Sequence, residues 1–177
     1  MNYLKEYTSP LGTIYLKSDG TYLTGLWFKG SYDDIKNQAD CLKQDLPIFN
    51  ETIRWLDIYF SGQNPNFIPP YKLENITPFR KMVTDIMNEI PYGTVITYND
   101  IAKKIAQIKN IPRMSAQAVG GAVGSNPICL IIPCHRVVGS NNSLTGYGGG
   151  IKNKVALLKL EGLDMTKYTI PTKGTKL

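Results

Sequence analysis

Hydrophobic and polar positions in the first third of the chain alternate at short range. "YTSPLGTIYLKSDGTYLTGLWF" places runs of Tyr, Ile, Leu and Thr between turn residues, with Pro10-Leu11-Gly12 and Asp19-Gly20 as the turns. This predicts two or three short strands joined as hairpins. From Ser31 to Phe60 the pattern turns helical. In "ETIRWLDIYFSG", Ile53, Leu56 and Phe60 recur at three- and four-residue spacing, and Gly62 is a stop signal. "GQNPNFIPPYKLENITP" then loses periodicity and carries four prolines. It reads as a connector between two lobes.

Thr77-Pro78 looks like an N-cap and first helical residue, followed by Phe79, Val83, Ile86 and Ile90 on one face and a break at Pro91-Tyr92-Gly93. Thr97 or Asn99 can cap "DIAKKIAQ", and Ser115 can cap "AQAVGGAVG" after the loop "IKNIPRM". Two short helices so joined resemble a helix-turn-helix. The second is rich in small residues, which suit either close approach to another surface or tight packing on a neighbouring helix. "CLII" predicts a buried strand that ends at Pro133, with Ile132 extended and Cys134 emerging at its end. A Gly-rich loop, "GSNNSLTGYGGG", precedes a last amphipathic helix, "IKNKVALLKLEG". There Ile151, Val155, Leu157 and Leu158 should face inward and the lysines outward. The tail "TKYTIPTKGTKL" reads as frayed. No internal repeat is visible.

The chain has 177 residues, enough for one large or two small domains, and 42% of them are hydrophobic, which excludes wholesale disorder. A net charge of +6 favours an anionic partner such as nucleic acid. "MNYLKEYTSP" lacks the apolar stretch of a signal peptide, and no run approaches the roughly 20 apolar residues of a membrane helix. Cys41, Cys129 and Cys134 cannot all pair with one another. These features predict a cytoplasmic protein with free thiols and no membrane association.

The only histidine, His135, adjoins Cys134 in "IIPCHRVVGS". Zinc needs four ligands, or three plus water, and Cys129, Cys134 and His135 supply three at most. No metal is therefore expected. A buried, inert Cys134 is the ordinary alternative, but Arg136 and the glycine-rich loop favour a reactive thiol. Consecutive residues of an extended chain point to opposite faces. A relay from Cys134 to His135 thus needs a turn or a bridging water, and a third group should orient the imidazole. Spacing does not choose that group.

"PCHRV" within "AVGSNPICLIIPCHRVVGSNNSLTGYGGGIKNKVALLKLEG" closely resembles the active-site region of the O6-alkylguanine-DNA alkyltransferases, the methylated-DNA–protein-cysteine methyltransferases. "TPFRKMV", "IPYGTVITYNDIA" and "AQAVGGA" extend the resemblance over residues 77–162. "SPLGTIYL", "GLWF" and "LDIYFSG" match more loosely. The resemblance implies an α/β fold of two lobes. A ribonuclease-H-like lobe with its connector covers residues 1–76. A mainly helical, winged helix-turn-helix-like lobe carrying the active site covers 77–165, and a basic tail covers 166–177.

The implied activity is direct-reversal repair by a monomer without cofactor. The partner is double-stranded DNA carrying O6-alkylguanine, with O4-alkylthymine a further substrate. The base is flipped out, and Cys134 takes the alkyl group irreversibly in a single turnover. His135 receives the thiol proton through a water, and Glu161 orients His135. Asn126 matches a hinge residue, and Tyr98 the tyrosine that helps rotate the nucleotide. Arg136 matches a salt-bridging residue at the site, Tyr147 the loop closing over the base, and Ser140 a polar contact near it. Asn99, Ser115 and Val137 fall among the positions implied to contact DNA or base.

Two positions depart from the family pattern. Gln117 stands where an arginine finger is common, and Gly148 where a serine often follows the loop tyrosine. The first predicts weaker DNA binding or flipping, and the second a roomier pocket that accepts larger adducts. Other readings are a non-catalytic damage sensor, a helix-turn-helix regulator and a Cys-His hydrolase. A sensor lacks the acceptor cysteine. A regulator needs base-reading side chains along its second helix, and a hydrolase an oxyanion hole.

Overall fold

The computed structural model describes residues 1–171, which fall into two compact units, residues 1–75 with 127–131 and residues 76–126 with 132 onward. The fold is α/β, with a sheet-bearing N-terminal unit and a helical C-terminal unit, as the resemblance implies. Residues 172–177, half of the expected basic tail, lie outside the described residues.

The N-terminal unit is built on a four-stranded sheet in the order β3-β2-β1-β4. Its strands are β1 (Asn2–Ser9), β2 (Gly12–Ser18), β3 (Leu23–Phe28) and β4 (Cys41–Lys43). The first three form antiparallel hairpins, and β4 joins β1 in parallel. Both predicted turns are present. Asp19 closes the second by accepting from the backbone N–H of Thr21 and Tyr22 at 2.9 and 2.8 Å, the local bond that makes Asp a turn former.

The region from Ser31 to Phe60 is not one helical stretch. A five-residue helix α1 (Asp34–Gln38) is followed by β4 and then by α2 (Pro47–Phe60). Asp34 anchors α1 by accepting from Trp27 Nε1 at 2.6 Å. The buried face of α2 is Ile48, Phe49, Thr52, Trp55, Leu56 and Tyr59, and Ile53 and Phe60 are only half-buried. The aromatic side chains rotate the face away from the expected stripe, because Trp55 and Tyr59 stack with ring centres 5.3 Å apart.

The predicted strand over "CLII" does not form. Ile128 makes a single bridge to Leu26, and residues 129–131 turn instead. Leu130 adopts φ 70°, a left-handed conformation that a strand excludes and that costs a bulky residue energy. Cys129, expected to be buried, is half-buried.

In the C-terminal unit, Thr77 caps α3 (Pro78–Asn88) by accepting from the Arg80 N–H. Val83, Ile86 and Ile90 are buried as predicted, with Phe79 half-buried. Thr97, not Asn99, caps α4 (Tyr98–Lys109), which follows β5 (Ile96–Thr97). The Asp100 N–H donates to Thr97 Oγ1 at 3.0 Å and the Thr97 N–H to Asp100 Oδ2 at 2.9 Å, a complete capping box. Ser115 caps α5 (Ala116–Gly124) by accepting from the Ala118 N–H.

Val119, Ala122 and Val123 of α5 are buried, and the helix packs on α4 and α3. Ala116, Gln117, Ala118, Gly121 and Gly124 are exposed. The small residues therefore serve packing on one face and leave a low, open surface on the other. β6 (Val137–Val138) pairs in parallel with β5. The last helix, α6 (Ile151–Leu160), buries Leu157 and Leu158 as expected, but it also buries Lys154 completely. Within the tail, Thr169 pairs with Ser143.

Candidate active site

Cys134, His135 and Arg136 form one turn of 3₁₀ helix, and all three are buried. The backbone N–H of Cys134 donates to Ile132 O at 2.8 Å, and that of Arg136 to Pro133 O at 3.1 Å. Asn126 Nδ2 donates to Ile132 O at 2.9 Å, which ties the end of α5 to the approach of this turn. A 3₁₀ turn rotates successive side chains by about 120° instead of placing them on opposite faces. The turn that a Cys-His relay requires is thus built into the backbone.

Glu161, at the C-cap of α6, supplies the third group. Its Oε2 lies 2.5 Å from His135 Nε2, with both side chains sealed from solvent. Its Oε1 accepts from Arg136 Nε at 2.8 Å and from the Gly93 N–H at 2.9 Å. Gly93 sits at φ 75°, and a Cβ there would meet the Glu161 carbonyl oxygen at 3.2 Å, so the approach favours glycine. Arg136 is completed by the Ile90 carbonyl at 3.0 Å.

Burial alone would raise the Glu161 carboxyl. The hydrogen bond with His135 and the charge and hydrogen bond of Arg136 outweigh it and hold the group near 2. Glu161 is therefore a permanent carboxylate. Burial pushes His135 below its ordinary pKa despite that carboxylate, so the imidazole is neutral at pH 7. With Nε2–H directed at Glu161, the basic lone pair of the neutral ring is on Nδ1.

A cleft of about 300 Å³ opens between α4, α5 and the loop after β6, lined by Tyr98, Asn99, Gln117, Ser140, Thr145 and Gly146. Asn99, Gln117 and Ser140 are exposed there, and the Tyr98 hydroxyl donates to the Thr145 carbonyl at 3.0 Å. Tyr147 is buried. Val137 is fully buried in β6, and it offers its carbonyl to Lys154. Ser115 lines not this cleft but an adjoining groove, with Lys103 and Arg113, that shares Asn99 and Ala116 with it. Arg136, Asn126 and Val137 are thus held within the fold, whereas Asn99, Gln117 and Ser140 are open to a ligand. Gly148 has no atom within 4 Å of where a Cβ would stand. Among the described residues no group of three or more His, Cys, Asp or Glu could hold a metal ion, and no helix is long and apolar enough to cross a membrane.

Two family models match the chain. The DNA-binding domain of 6-O-methylguanine DNA methyltransferase matches residues 78–163, and the ribonuclease-like domain of the same proteins matches residues 2–71. The chain belongs to the 6-O-methylguanine DNA methyltransferase family. A methylated-DNA–protein-cysteine methyltransferase of Haemophilus influenzae is 40% identical over 98% of this chain and 91% of its own length. One of Methanosarcina acetivorans is 39% identical over 90% and 98%. The crystal structure of the Mycobacterium tuberculosis OGT in complex with DNA superimposes with a TM-score of 0.78 at 35% identity, covering 94% of each chain.

Lys154 is the site residue that the hydrophobic pattern concealed. Its Nζ donates to Val137 O at 2.6 Å and to Thr145 O at 3.0 Å. A lysine between Asn153 and Val155 in a lysine-rich helix reads as solvent-facing, and only its place one turn before Leu157 and Leu158 hinted otherwise.

Proposed function

We propose that this member of the family repairs DNA by direct reversal, moving the alkyl group of O6-alkylguanine onto Cys134. The observation that carries the reading is the Glu161–His135 pair, locked together in the interior on the turn that bears the thiol. Such a pair has no packing rationale, since two apolar residues would fill the space without desolvating a carboxylate. It suits a proton acceptor held in one tautomer.

The helix α5 presents exposed Ala, Gly and Gln to an incoming duplex, and small side chains permit close approach to a groove. The alkylated guanine turns out of the stack into the pocket beside Tyr98 and Ser140, the general device for chemistry on a stacked base. The Cys134 thiol gives its proton to His135 through a water. The sulfur then forms a bond to the alkyl carbon as the bond from that carbon to O6 breaks. The electron pair returns to guanine, which regains one proton and leaves as the normal base. A thioether does not hydrolyse, so the protein is consumed. O4-alkylthymine presents the same alkyl–oxygen bond and is a second substrate, and the protein acts as a monomer without cofactor.

The alternative of a non-catalytic sensor has no use for a buried base beside a thiol. Stoichiometry tests the reading. With a tenfold excess of duplex carrying O6-methylguanine, repaired base should level off at one per protein. Continued turnover, or no repair at all, would contradict it.

A further inference from the structure

Residues 164–169 run back from the end of α6 to the loop that walls the cleft. The chain leaves Glu161 through Gly162, at φ 91°. The N–H groups of Gly162 and Leu163 close the helix on Lys159 O and Leu158 O at 3.0 and 3.1 Å. Asp164 then accepts from the Thr166 N–H at 3.0 Å and the Thr166 hydroxyl at 2.7 Å, and a 3₁₀ turn, Met165–Lys167, begins there. Hydrogen bonds to the loop follow. The Leu144 N–H donates to Thr169 O at 2.8 Å, the Thr169 N–H to Asn142 O at 3.1 Å, and Asn142 Nδ2 to Lys167 O at 3.2 Å.

Side chains make the same connection. Leu144 is the one buried residue between Gly139 and Gly146. It packs with Val138 and Leu158, against which Leu163, Met165 and Tyr168 also rest. Gly139, Ser140, Thr145 and Gly146, on either side of Leu144, line the cleft. Tyr98 and Lys154 hold the Thr145 end through its carbonyl. Towards Ser140 the loop's own bonds are short-range, from the Gly139 N–H to Ser143 O at 2.7 Å and from the Ser143 N–H to Ser140 O at 3.2 Å. Asn141 and Asn142 both sit at φ 56°, a left-handed conformation that surrounding contacts must fix.

We infer that residues 164–169 are a strap that positions the cleft wall, with Thr169 as its positioning residue. By pairing with Asn142 and Leu144, the strap sets how Ser140 and Thr145 face the cleft. It starts at Glu161, so it ties the carboxylate that orients His135 to the wall that receives the base. The inference rests on the reading of the cleft as the pocket for the flipped base. The strap acts on capture of that base and leaves the thiol alone.

Thr169→Pro removes the N–H that reaches Asn142 O. Tyr168, at φ −116° and ψ 151°, already has the backbone that a following proline requires. The first measurement needs no DNA. By NMR, the Leu144 and Thr145 amides should exchange with deuterium about tenfold faster in the variant, the scale of one lost hydrogen bond and its stranded acceptor. The amides of α4 should not change. Equal exchange at Leu144 and Thr145 overturns the inference.

The second measurement is single-turnover repair of duplex carrying O6-methylguanine. At saturating DNA it should slow by about tenfold, the same factor by which the wall opens. Affinity for unmodified duplex should hold, and iodoacetamide should cap Cys134 no more slowly. Ile170→Ala, with an exposed side chain just past the pairing, should match the wild type in both measurements. Faster exchange with unchanged repair overturns the inference. If the wild-type protein repairs nothing, the proposed function fails, and amide exchange still decides whether the strap fixes the wall. If Thr169→Pro does not fold, Tyr168→Ala, which thins the same contact from the strap side, replaces it in both measurements.

Discussion

The carboxylate of Glu161 stands 2.5 Å from Nε2 of His135, in contact with no solvent, across 26 residues of chain. Its second oxygen holds Arg136 and the backbone of Gly93. One side chain therefore sets the imidazole tautomer, neutralises a buried guanidinium and pins the segment that leads into β5.

Glu161→Gln keeps the shape but can present an N–H to Nε2, which favours the wrong tautomer. Single-turnover repair should slow by about 100-fold or more, with DNA affinity unchanged. Glu161→Ala strands a buried arginine charge and should destabilise the fold by about 3–5 kcal/mol. Rapid-quench kinetics and denaturant unfolding check the two.

Stability should fall in acid in two stages. His135 has a folded pKa below its ordinary 6.5, so the stabilisation present above that pH declines as the ring is forced to charge. Glu161 is depressed from 4.5 to about 2. Its contribution is whole above pH 4.5 and is lost as the pH drops through 2, a displacement of about 3 kcal/mol. Urea unfolding from pH 8 to about pH 2 measures both. A flat profile below pH 6 would contradict the buried pair.

Gln117 is exposed on the first turn of α5 and at the rim of the cleft. Gln117→Arg adds a fork of donors and a charge. The variant should bind modified duplex more tightly, steepen the salt dependence by about one unit of slope and repair faster. Fluorescence anisotropy across a salt series tests this, and equal affinity with equal rate would count against it.

Thr97→Ala removes the acceptor for the Asp100 N–H. The loss should be about 1 kcal/mol, or roughly 2–4 °C in melting temperature. Because Tyr98 is the first residue of α4, repair should slow as well, whereas capping of Cys134 by iodoacetamide should not.

Most of the fold was legible where local chemistry dictates geometry. The caps at Thr77, Thr97 and Ser115 and the Asp19 turn each rest on a side chain satisfying a nearby backbone N–H. The failures arose where distant contacts decide. "CLII" has the composition of a strand, yet it finds one bridge and a left-handed Leu130. Lys154 has the polarity of a surface residue, yet two backbone carbonyls far along the chain hold it inside. Cys134 and His135 announced themselves as neighbours. The carboxylate did not, because nothing in the spacing from His135 to Glu161 marks that pair, and only the family resemblance singled it out.

The central claim is that Cys134 accepts the alkyl group. The most direct measurement is the mass of the Cys134 peptide after incubation with a duplex carrying O6-methylguanine. The account predicts a gain of one methyl group on that cysteine alone, absent in Cys134→Ala. An unmodified Cys134 in protein that has restored the guanine, or a methyl group on Cys41 or Cys129 instead, would contradict it.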